Sequence, residues 1–349
     1  MKFACFADTH AHLYKEFSTI TEVSGNSRLD QIISALDYMK TYCLENDIKH
    51  ILFAGDMFHR RKEVNIKVFN AIYDVLSSFS KGGLELIGIP GNHDQESNEQ
   101  FPEHSLYTFN RLDGITFHSR NNFQHVNENV CICCLPYCKD PEYTLLGIQE
   151  AEQFKQAYPD VQLILLAHLG VSGAMVNNMI MQDKFSVESL SPEIFKYGIL
   201  GHYHRRQFLP GTNHMLYVGS TLQHSFNDEG EDKGFYVIDT NKRHHIEFIP
   251  IPSPKFVTVR NPEEMLNVDT KDFVRFLVTE DQVEEIQKTI PEDMQYRIEL
   301  QKSYEETNRI DVKVGMGFDE VIVKYAGELN VEATEIGLEI LKEVSEANV

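Results

Sequence analysis

Five short polar clusters, each directly after an apolar run, constrain this chain more than any other feature. They are Asp8-Thr9-His10, Gly55-Asp56, Gly91-Asn92-His93-Asp94, Ala167-His168 and Gly201-His202-Tyr203-His204. The preceding runs, at residues 2–7, 48–54, 84–89, 161–166 and 197–200, have the composition of buried strands. Open α/β sheets place their sites at the carboxyl ends of strands. The pattern therefore predicts a functional site built from strand ends.

From residue 1 to about residue 250, strand-like runs alternate with segments of helical periodicity. This alternation is typical of an α/β fold in which helices cover the sheet. Helices are expected at residues 27–46, 65–79 and 147–158. Three later runs, at residues 216–218, 234–239 and 246–251, are expected to add antiparallel strands.

Pro250, Pro252 and Pro254 mark the end of this region, because proline cannot serve in a central strand. We therefore place the first domain at residues 1–254. Residues 255–315 show a strand, helix and strand pattern that predicts a small α+β domain, and residues 316–349 form a C-terminal helical segment. The apolar face of its last helix favours packing on its own module, with partner docking as the alternative.

The net charge of −21 runs against a nucleic-acid-binding function, because phosphate binding usually leaves a basic footprint. The excess is uneven, however. Residues 261–349 carry 22 acidic and 9 basic side chains, which leaves −8 for the first 260 residues. Basic runs follow two of the polar clusters, at residues 59–62 and 205–206. The proposed site can therefore be locally positive on an acidic protein.

Four of the six cysteines crowd into residues 131–138. This favours reduced thiols on a buried strand over a structural zinc site, because no second cysteine pair stands at the required spacing. No run of eighteen apolar residues is present, and Met1 leads directly into a strand-like segment rather than into a signal peptide. We expect a cytoplasmic protein with no membrane association.

The polar clusters supply the ligand types of a centre in which two divalent cations lie about 3.5 to 4 Å apart. Asp56 is the expected bridge between the cations, because Gly55 lets the backbone turn sharply after a strand. The remaining expected ligands are Asp8, His10 and His204 for one cation, and Asn92, His168 and His202 for the other. This mixture favours manganese, iron or zinc over calcium.

Three further side chains lie beside the expected ligands. His93 follows Asn92 and is expected to protonate the leaving alkoxide as a general acid, with Asp94 orienting it. His59 lies three residues past Asp56 and is expected to contact the scissile phosphate. Each cluster alone is a weak signal, but five together at strand ends favour a catalytic site over unrelated turns.

In this order, the motifs D-x-H, G-D, G-N-H-D, a lone His and G-H-x-H resemble the signature of the calcineurin-like metallophosphoesterases. The segment Gly55-Asp56-Met57-Phe58-His59 is similar to the G-D-x-F-H form of SbcD-type DNA repair nucleases, which include phage recombination endonuclease subunits. Tyr217-Val218-Gly219-Ser220, Ser225-Phe226 and Lys233-Gly234-Phe235 also resemble that subfamily. The resemblance covers roughly residues 1–250, and the remainder matches only by position and size.

The resemblance implies a metallophosphoesterase β-sandwich flanked by helices, followed by a DNA-binding capping domain at residues 255–315. It implies a manganese-dependent DNA exonuclease and endonuclease with two metal ions, acting in double-strand break repair and recombination. Under it, the metal ligands are Asp8, His10, Asp56, Asn92, His168, His202 and His204. His93 is the general acid, and His59 positions either a phosphate or the DNA strand. The implied partners are DNA, an SbcC-like ATPase subunit and a second copy of the chain, in the host cytoplasm if the chain is phage-encoded.

Two other functions stay open at this point. One is a stand-alone calcineurin-like phosphodiesterase or phosphatase that needs neither a capping domain nor a partner. The other is a catalytically silent, metal-bearing interaction scaffold. The presence of His93 and His59, which are not needed to hold metal, favours an enzyme over the scaffold.

Overall fold

The structure is a computed structural model that describes residues 1–97, 101–177, 179–301, 316, 318–329 and 334–347. The chain divides into two compact units, Met1–Glu299 and Leu300–Val349. The strands of the described residues are β1 (Lys2–Phe6), β2 (His50–Phe53), β3 (Glu85–Gly88), β4 (Ile115–Phe117), β5 (Asn122–Asn127), β6 (Val130–Leu135), β7 (Gln162–His168), β8 (Met175–Val176), β9 (Met179–Ile180), β10 (Tyr197–Gly201), β11 (Gln207–Phe208), β12 (Met215–Tyr217), β13 (Gly234–Asp239), β14 (His245–Pro250), β15 (Phe256–Val259), β16 (Phe273–Val278) and β17 (Gln295–Leu300). The α-helices are α1 (Ser27–Glu45), α2 (Ile66–Lys81), α3 (Pro141–Ala157), α4 (Val283–Thr289), α5 (Phe318–Leu329) and α6 (Thr334–Ala347).

Two six-stranded sheets form the centre of the first unit. Their strand orders are β14-β13-β1-β2-β3-β4 and β11-β12-β10-β7-β6-β5. Strands such as β1 are buried on both faces, so alternate side chains serve different layers. Phe3 and Cys5 pack with Ile164 and Ile199 of the other sheet, whereas Ala4 packs on the opposite face. The two sheets therefore form a sandwich with a shared apolar core.

Helices cover both outer faces of this sandwich. The apolar sides of α1 and α2 pack on the first sheet, and α3 contributes Ile148 and Ala151 to the core outside the second sheet. The order of layers is helix, sheet, sheet, helix. The expected mixed α/β fold, a β-sandwich flanked by helices, is confirmed.

Two expected elements differ from the structure. Helix α3 begins at Pro141 rather than residue 147, because Asp140 caps it by accepting a hydrogen bond from the Glu142 N–H, and Pro141 suits the first helical turn. Strand β12 pairs parallel with β10 and antiparallel with β11, whereas we expected only an antiparallel addition there. Strands β13 and β14 are antiparallel additions to the first sheet, as expected.

The cysteine-rich segment forms β6, which is buried along its whole length. Burial raises the pKa of the Cys133 and Cys134 thiols above the usual value. These side chains therefore behave as small apolar core residues.

Strands β15, β16 and β17 form a separate three-stranded sheet near the end of the first unit. This sheet and α4 enclose a small apolar core that includes Val274, Phe276 and Ile286. The strand, helix and strand order matches the pattern expected after residue 255. We expected a second domain boundary between residues 315 and 316. Residues 302–315 lie outside the described residues, so this boundary stays a prediction.

The second unit contains α5 and α6, which pack against each other. Gly337 of α6 lies so close to Ile322 of α5 that a Cβ at Gly337 would be 3.2 Å from the Ile322 Cγ2 atom. The position of α6 agrees with the helix expected near the C-terminus. None of the described helices combines the length and apolar character that crossing a bilayer requires.

Candidate metal centre

The five polar clusters follow β1, β2, β3, β7 and β10, or complete them. In the first sheet β1, β2 and β3 run parallel, and in the second sheet β7 and β10 run parallel. The carboxyl ends of parallel neighbours share one edge of a sheet, so each sheet presents its clusters together. The two sheets jointly supply the donor atoms of one site.

Four of the expected ligands adopt left-handed backbone conformations. The φ angles are 50° for Asp8, 47° for His10, 62° for Asp56 and 110° for His202. Positive φ is uncommon for residues other than glycine, and such strain concentrates at functional sites. These turns redirect the chain at the strand ends, which places consecutive donors around one cavity.

One group of donor atoms comes from Asp8, His10 and His204, all within 4.8 Å of one another. The Nε2 atoms of His10 and His204 are 2.9 Å apart. Two imidazole nitrogens and a carboxylate at this separation are suited to sharing a single cation.

A second group comes from Asp8, Asp56 and His168, whose donor atoms also lie within 4.8 Å of one another. Asp56 Oδ2 lies 3.5 Å from His168 Nε2 and 3.7 Å from His10 Nε2. The Asp56 carboxylate therefore lies between the two groups, where a bridging ligand would have to be.

Asn92 and His202 extend the second group. Asn92 Oδ1 lies 3.1 Å from His168 Nε2 and 3.2 Å from His202 Nδ1. The structure thus brings together all seven expected ligands. Their assignment as ligands remains a proposal, because it rests on this convergence and on the motifs.

The hydrogen bonds and the pKa values of the imidazoles suit them to binding a divalent cation. His168 Nδ1 donates a 2.7 Å hydrogen bond to the Ala54 carbonyl, which leaves Nε2 to face the site. Burial lowers the pKa of His10 and His204, and it lowers that of His202 to about 4. These last three imidazoles stay neutral at neutral pH and keep a lone pair for a metal.

The carboxylate at the centre is ionised. Burial raises the pKa of Asp56, but His168 and His10 outweigh that effect and hold the pKa below its usual range. Burial lowers the pKa of His168, but the Asp56 carboxylate outweighs it and raises the pKa to about 9, so a cation bound at Nε2 displaces a proton. Imidazoles, carboxylates and an amide oxygen form the donor set that suits manganese, iron or zinc. The residues present therefore fit a pair of such ions.

His93 and His59 lie at the same cavity, which has a volume of about 510 Å³. The His93 backbone N–H donates to Asp56 Oδ1 at 2.8 Å, and His93 Nδ1 donates to the His59 carbonyl at 2.6 Å. The second bond fixes the ring and leaves the His93 Nε2 atom available. Donor atoms of His10, His59 and His93 lie within 4.8 Å of one another.

Asp94, expected to orient His93, has a different set of partners. Its carboxylate accepts hydrogen bonds from the backbone N–H groups of Asp56, Met57, Phe58 and Gly91, at 2.9 to 3.1 Å. The tight turn after β2 exposes consecutive N–H groups in the interior, and a buried carboxylate satisfies them. Asp94 therefore shapes the turn that carries Asp56, and the His59 carbonyl orients His93.

His224 and Tyr14, which the sequence did not indicate as site residues, donate hydrogen bonds to backbone carbonyls of two expected ligands. His224 Nε2 donates a 3.0 Å hydrogen bond to the Asp8 carbonyl. The Tyr14 hydroxyl donates one of 3.0 Å to the His10 carbonyl. Both bonds hold backbone oxygens of strained ligand residues. A lone histidine or tyrosine in a polar loop gives no sequence signal for such a role.

The model of the calcineurin-like phosphoesterase family matches residues 1–205. The chain belongs to this family. It is a metal-dependent phosphoester hydrolase, consistent with the donor atoms that converge at the strand ends.

Individual relatives are more distant. The chain is 23% identical to exonuclease subunit 1 of Enterobacteria phage T4 over 340 residues, which span 88% of this chain and 93% of the phage protein. It is 23% identical to an SbcCD nuclease subunit of Staphylococcus epidermidis over 256 residues, which span 66% of each. The solved structure of TT1561 from Thermus thermophilus superposes with a TM-score of 0.44 at 11% identity, covering 72% of this chain and 99% of that one. The resemblance to SbcD-type nuclease subunits is confirmed.

Proposed function

We propose that this chain is the nuclease subunit of an SbcCD-type repair and recombination complex. In this proposal it cleaves DNA phosphodiester bonds as an exonuclease and endonuclease, using two manganese ions. The observation that carries the proposal is the convergence of seven donor side chains, five of which line the cavity of His93 and His59, while Asp8 and His168 are buried next to Asp56. The names of the phage and staphylococcal relatives support a nucleic acid as substrate.

Two divalent cations at this site supply charge stabilisation for the phosphoryl oxygens and a more acidic attacking water. Side chains of the protein carry out the remaining steps. His93 donates through Nδ1 to the His59 carbonyl, so in its doubly protonated form it is placed to deliver the Nε2 proton to the leaving oxygen and to end as the neutral Nδ1–H imidazole. Burial, with His12 and His93 nearby, lowers the pKa of His59 to about 4, so a neutral His59 can donate a hydrogen bond to the phosphate.

We assign the sheet β15–β17 and the segment up to residue 315 to a DNA-capping role. The supporting feature is its own small core next to the catalytic sandwich within the first unit. A stand-alone phosphatase needs no such addition, which is why we place the nuclease first.

We further propose an SbcC-like ATPase and a second copy of the chain as partners, with the complex working in the cytoplasm. Apolar side chains exposed on the helices support docking. Ile336 and Ile340 of α6 are 58% and 55% exposed, and Ile66 at the start of α2 is 76% exposed. We assign α6 to the ATPase and the α1–α2 face to the second copy.

The test is incubation of the purified chain with linear and circular duplex DNA plus manganese, with and without its candidate ATPase. Asp56→Asn serves as the inactive variant, and Asp113→Asn, which changes an exposed carboxylate, serves as the matched control. We expect degradation of linear DNA by wild type and Asp113→Asn only. Hydrolysis of a small phosphomonoester without any cleavage of DNA would favour the phosphatase instead.

A further inference from the structure

A second cavity, of about 520 Å³, opens beside the metal centre. Tyr14, His59 and His224 line both cavities, so the two spaces adjoin along a shared wall. Ser225 and Asn227 also line both cavities. The remaining walls come from the segment 12–17, from Arg28, Arg60 and Phe226, and from strands β15, β16 and β17. We call this space the basic cavity because five cationic side chains line it: Lys15, Arg28, Arg60, Arg275 and Arg297.

Three of these cationic side chains form hydrogen bonds or ion pairs within the protein. The Arg28 guanidinium is buried, donates to the Gln223 and His224 carbonyls, and lies 4.7 Å from the centre of the Tyr14 ring. Arg275 and Arg297 both pair with Glu299. Their charges are thus used to join segments of the first unit.

Lys15 and Arg60 differ from the other three. Both are exposed, and neither forms an ion pair within the part of the chain that the structure describes. Glu16, the one acidic residue among the described lining residues, pairs with Arg297 instead. Two cations on a chain of net charge −21 therefore remain available to an anion at the edge of the catalytic cavity.

Three rings lie against one another beside these two cations. The ring centres of His12 and His59 are 5.1 Å apart, those of His12 and Tyr14 5.3 Å, and those of Tyr14 and His59 5.5 Å. Proteins that hold single strands combine cationic side chains for the backbone with rings on which bases stack. A cavity of this volume is also within the usual range for a small ligand.

We propose that the basic cavity binds the unpaired nucleotides next to the scissile phosphate. Lys15 and Arg60 pair with the backbone phosphates, and the set of His12, Tyr14 and His59 rings contacts a base. The inference rests on the proposed nuclease function and adds that the strand is held unpaired on this side of the metal centre. A charged, ring-lined cavity of nucleotide size fits a single strand better than a stacked duplex.

The test is binding of a fluorescent oligo(dT) strand in EDTA, so that no cleavage takes place, followed by anisotropy across a salt series. The variant is Lys15→Gln with Arg60→Gln, and the matched control is Lys81→Gln with Arg243→Gln, two exposed cations outside the cavity. Each phosphate contact on a single strand contributes about 0.7 to the salt slope. We expect the slope to fall by about 1.4 and the affinity to drop in the cavity variant only.

Equal affinity and slope in the cavity and control variants would overturn the proposal. Because both substituted residues are exposed, we expect both variants to fold, which circular dichroism and manganese titration check. Cleavage of linear DNA by the wild type is measured separately. Failure of the proposed nuclease function and failure of the proposed cavity binding therefore give different results.

A separate measurement tests the proposed contact between the ring set and a base. His12→Ala should weaken binding of oligo(dT) relative to an abasic strand of the same length, since stacking on a ring is worth about 5- to 150-fold in affinity per base. An unchanged ratio between the two strands would overturn the assignment of the ring set.

Discussion

At the scale of single residues, hydrogen bonds with His224 and Asp94 hold the backbone of two expected donors, Asp8 and Asp56. Asp8, Asp56 and Asn92 belong to motifs with ligand-type side chains, and the structure places them together. The supporting hydrogen bonds of His224 and Asp94 go to backbone groups of residues far away in sequence. Side-chain patterns do not encode which backbone groups a turn leaves unsatisfied, so these roles emerge only from the folded chain.

Replacing His93 should separate metal binding from turnover. We expect His93→Ala to bind manganese as the wild type does but to lose about 10²- to 10⁴-fold in kcat on DNA, because one positioned general acid contributes that much. Isothermal titration and single-turnover cleavage measure the two properties. His118→Ala removes a histidine outside the cavity and should change neither; a His93→Ala enzyme with full turnover would remove this residue from catalysis.

At the scale of elements, the strands that carry the polar clusters could be predicted because each was a continuous apolar run. Their division into two sheets could not, since β1 and β7 are both buried on both faces and have similar composition. The edge strands β4 and β5 were also missed. Strand β5 is only partly buried and has no apolar run, so local sequence gives little sign of it.

The turn after β3 depends on a glycine that approaches a ligand closely. A Cβ at Gly91 would collide with the Asp56 carboxylate and lie 2.6 Å from His168 Cε1. Gly91→Ala should therefore displace Asp56 and weaken manganese binding by about tenfold or more, comparable to other changes just behind metal ligands. Gly327→Ala, on α5 with nothing within 4 Å of the added Cβ, is the matched control and should bind manganese normally. Equal affinity in both variants would contradict this requirement.

The segment leading into β13 is held by a buried lysine. Lys233 Nζ lies 2.8 Å from both Asp228 Oδ1 and Glu231 Oε2, and it donates to the His204 carbonyl at 2.7 Å. Lys233→Met would leave a buried carboxylate without its partner, which costs about 3 to 5 kcal/mol. Urea unfolding measures this loss. Lys242→Met removes an exposed lysine and should stay within about 0.5 kcal/mol of wild type; similar values for the two variants would show that the ion pairs of Lys233 add no stability.

At the scale of the whole molecule, the acidic charge and the basic cavity are compatible because charge is distributed unevenly. The sequence predicted basic runs beside two clusters, including Arg60. It could not predict that Arg28, Arg275 and Arg297 would be held by backbone carbonyls, rings and carboxylates, because those partners come from other segments. Net charge therefore says little about any one surface of this chain.

The candidate metal centre also joins the two sheets, because Asp8, Asp56 and Asn92 follow strands of the first sheet, whereas His168 ends β7 and His202 follows β10 of the second. Ions bound there stabilise only the folded chain, by about 2.7 kcal/mol when free ion is 100-fold above its Kd. Manganese should therefore raise the Tm of the chelator-treated protein, as measured by differential scanning calorimetry. Asp56→Asn should lose this shift, whereas Asp113→Asn should keep it. A wild-type Tm that is the same with EDTA and with excess manganese would mean that the donors of the two sheets do not hold ions together.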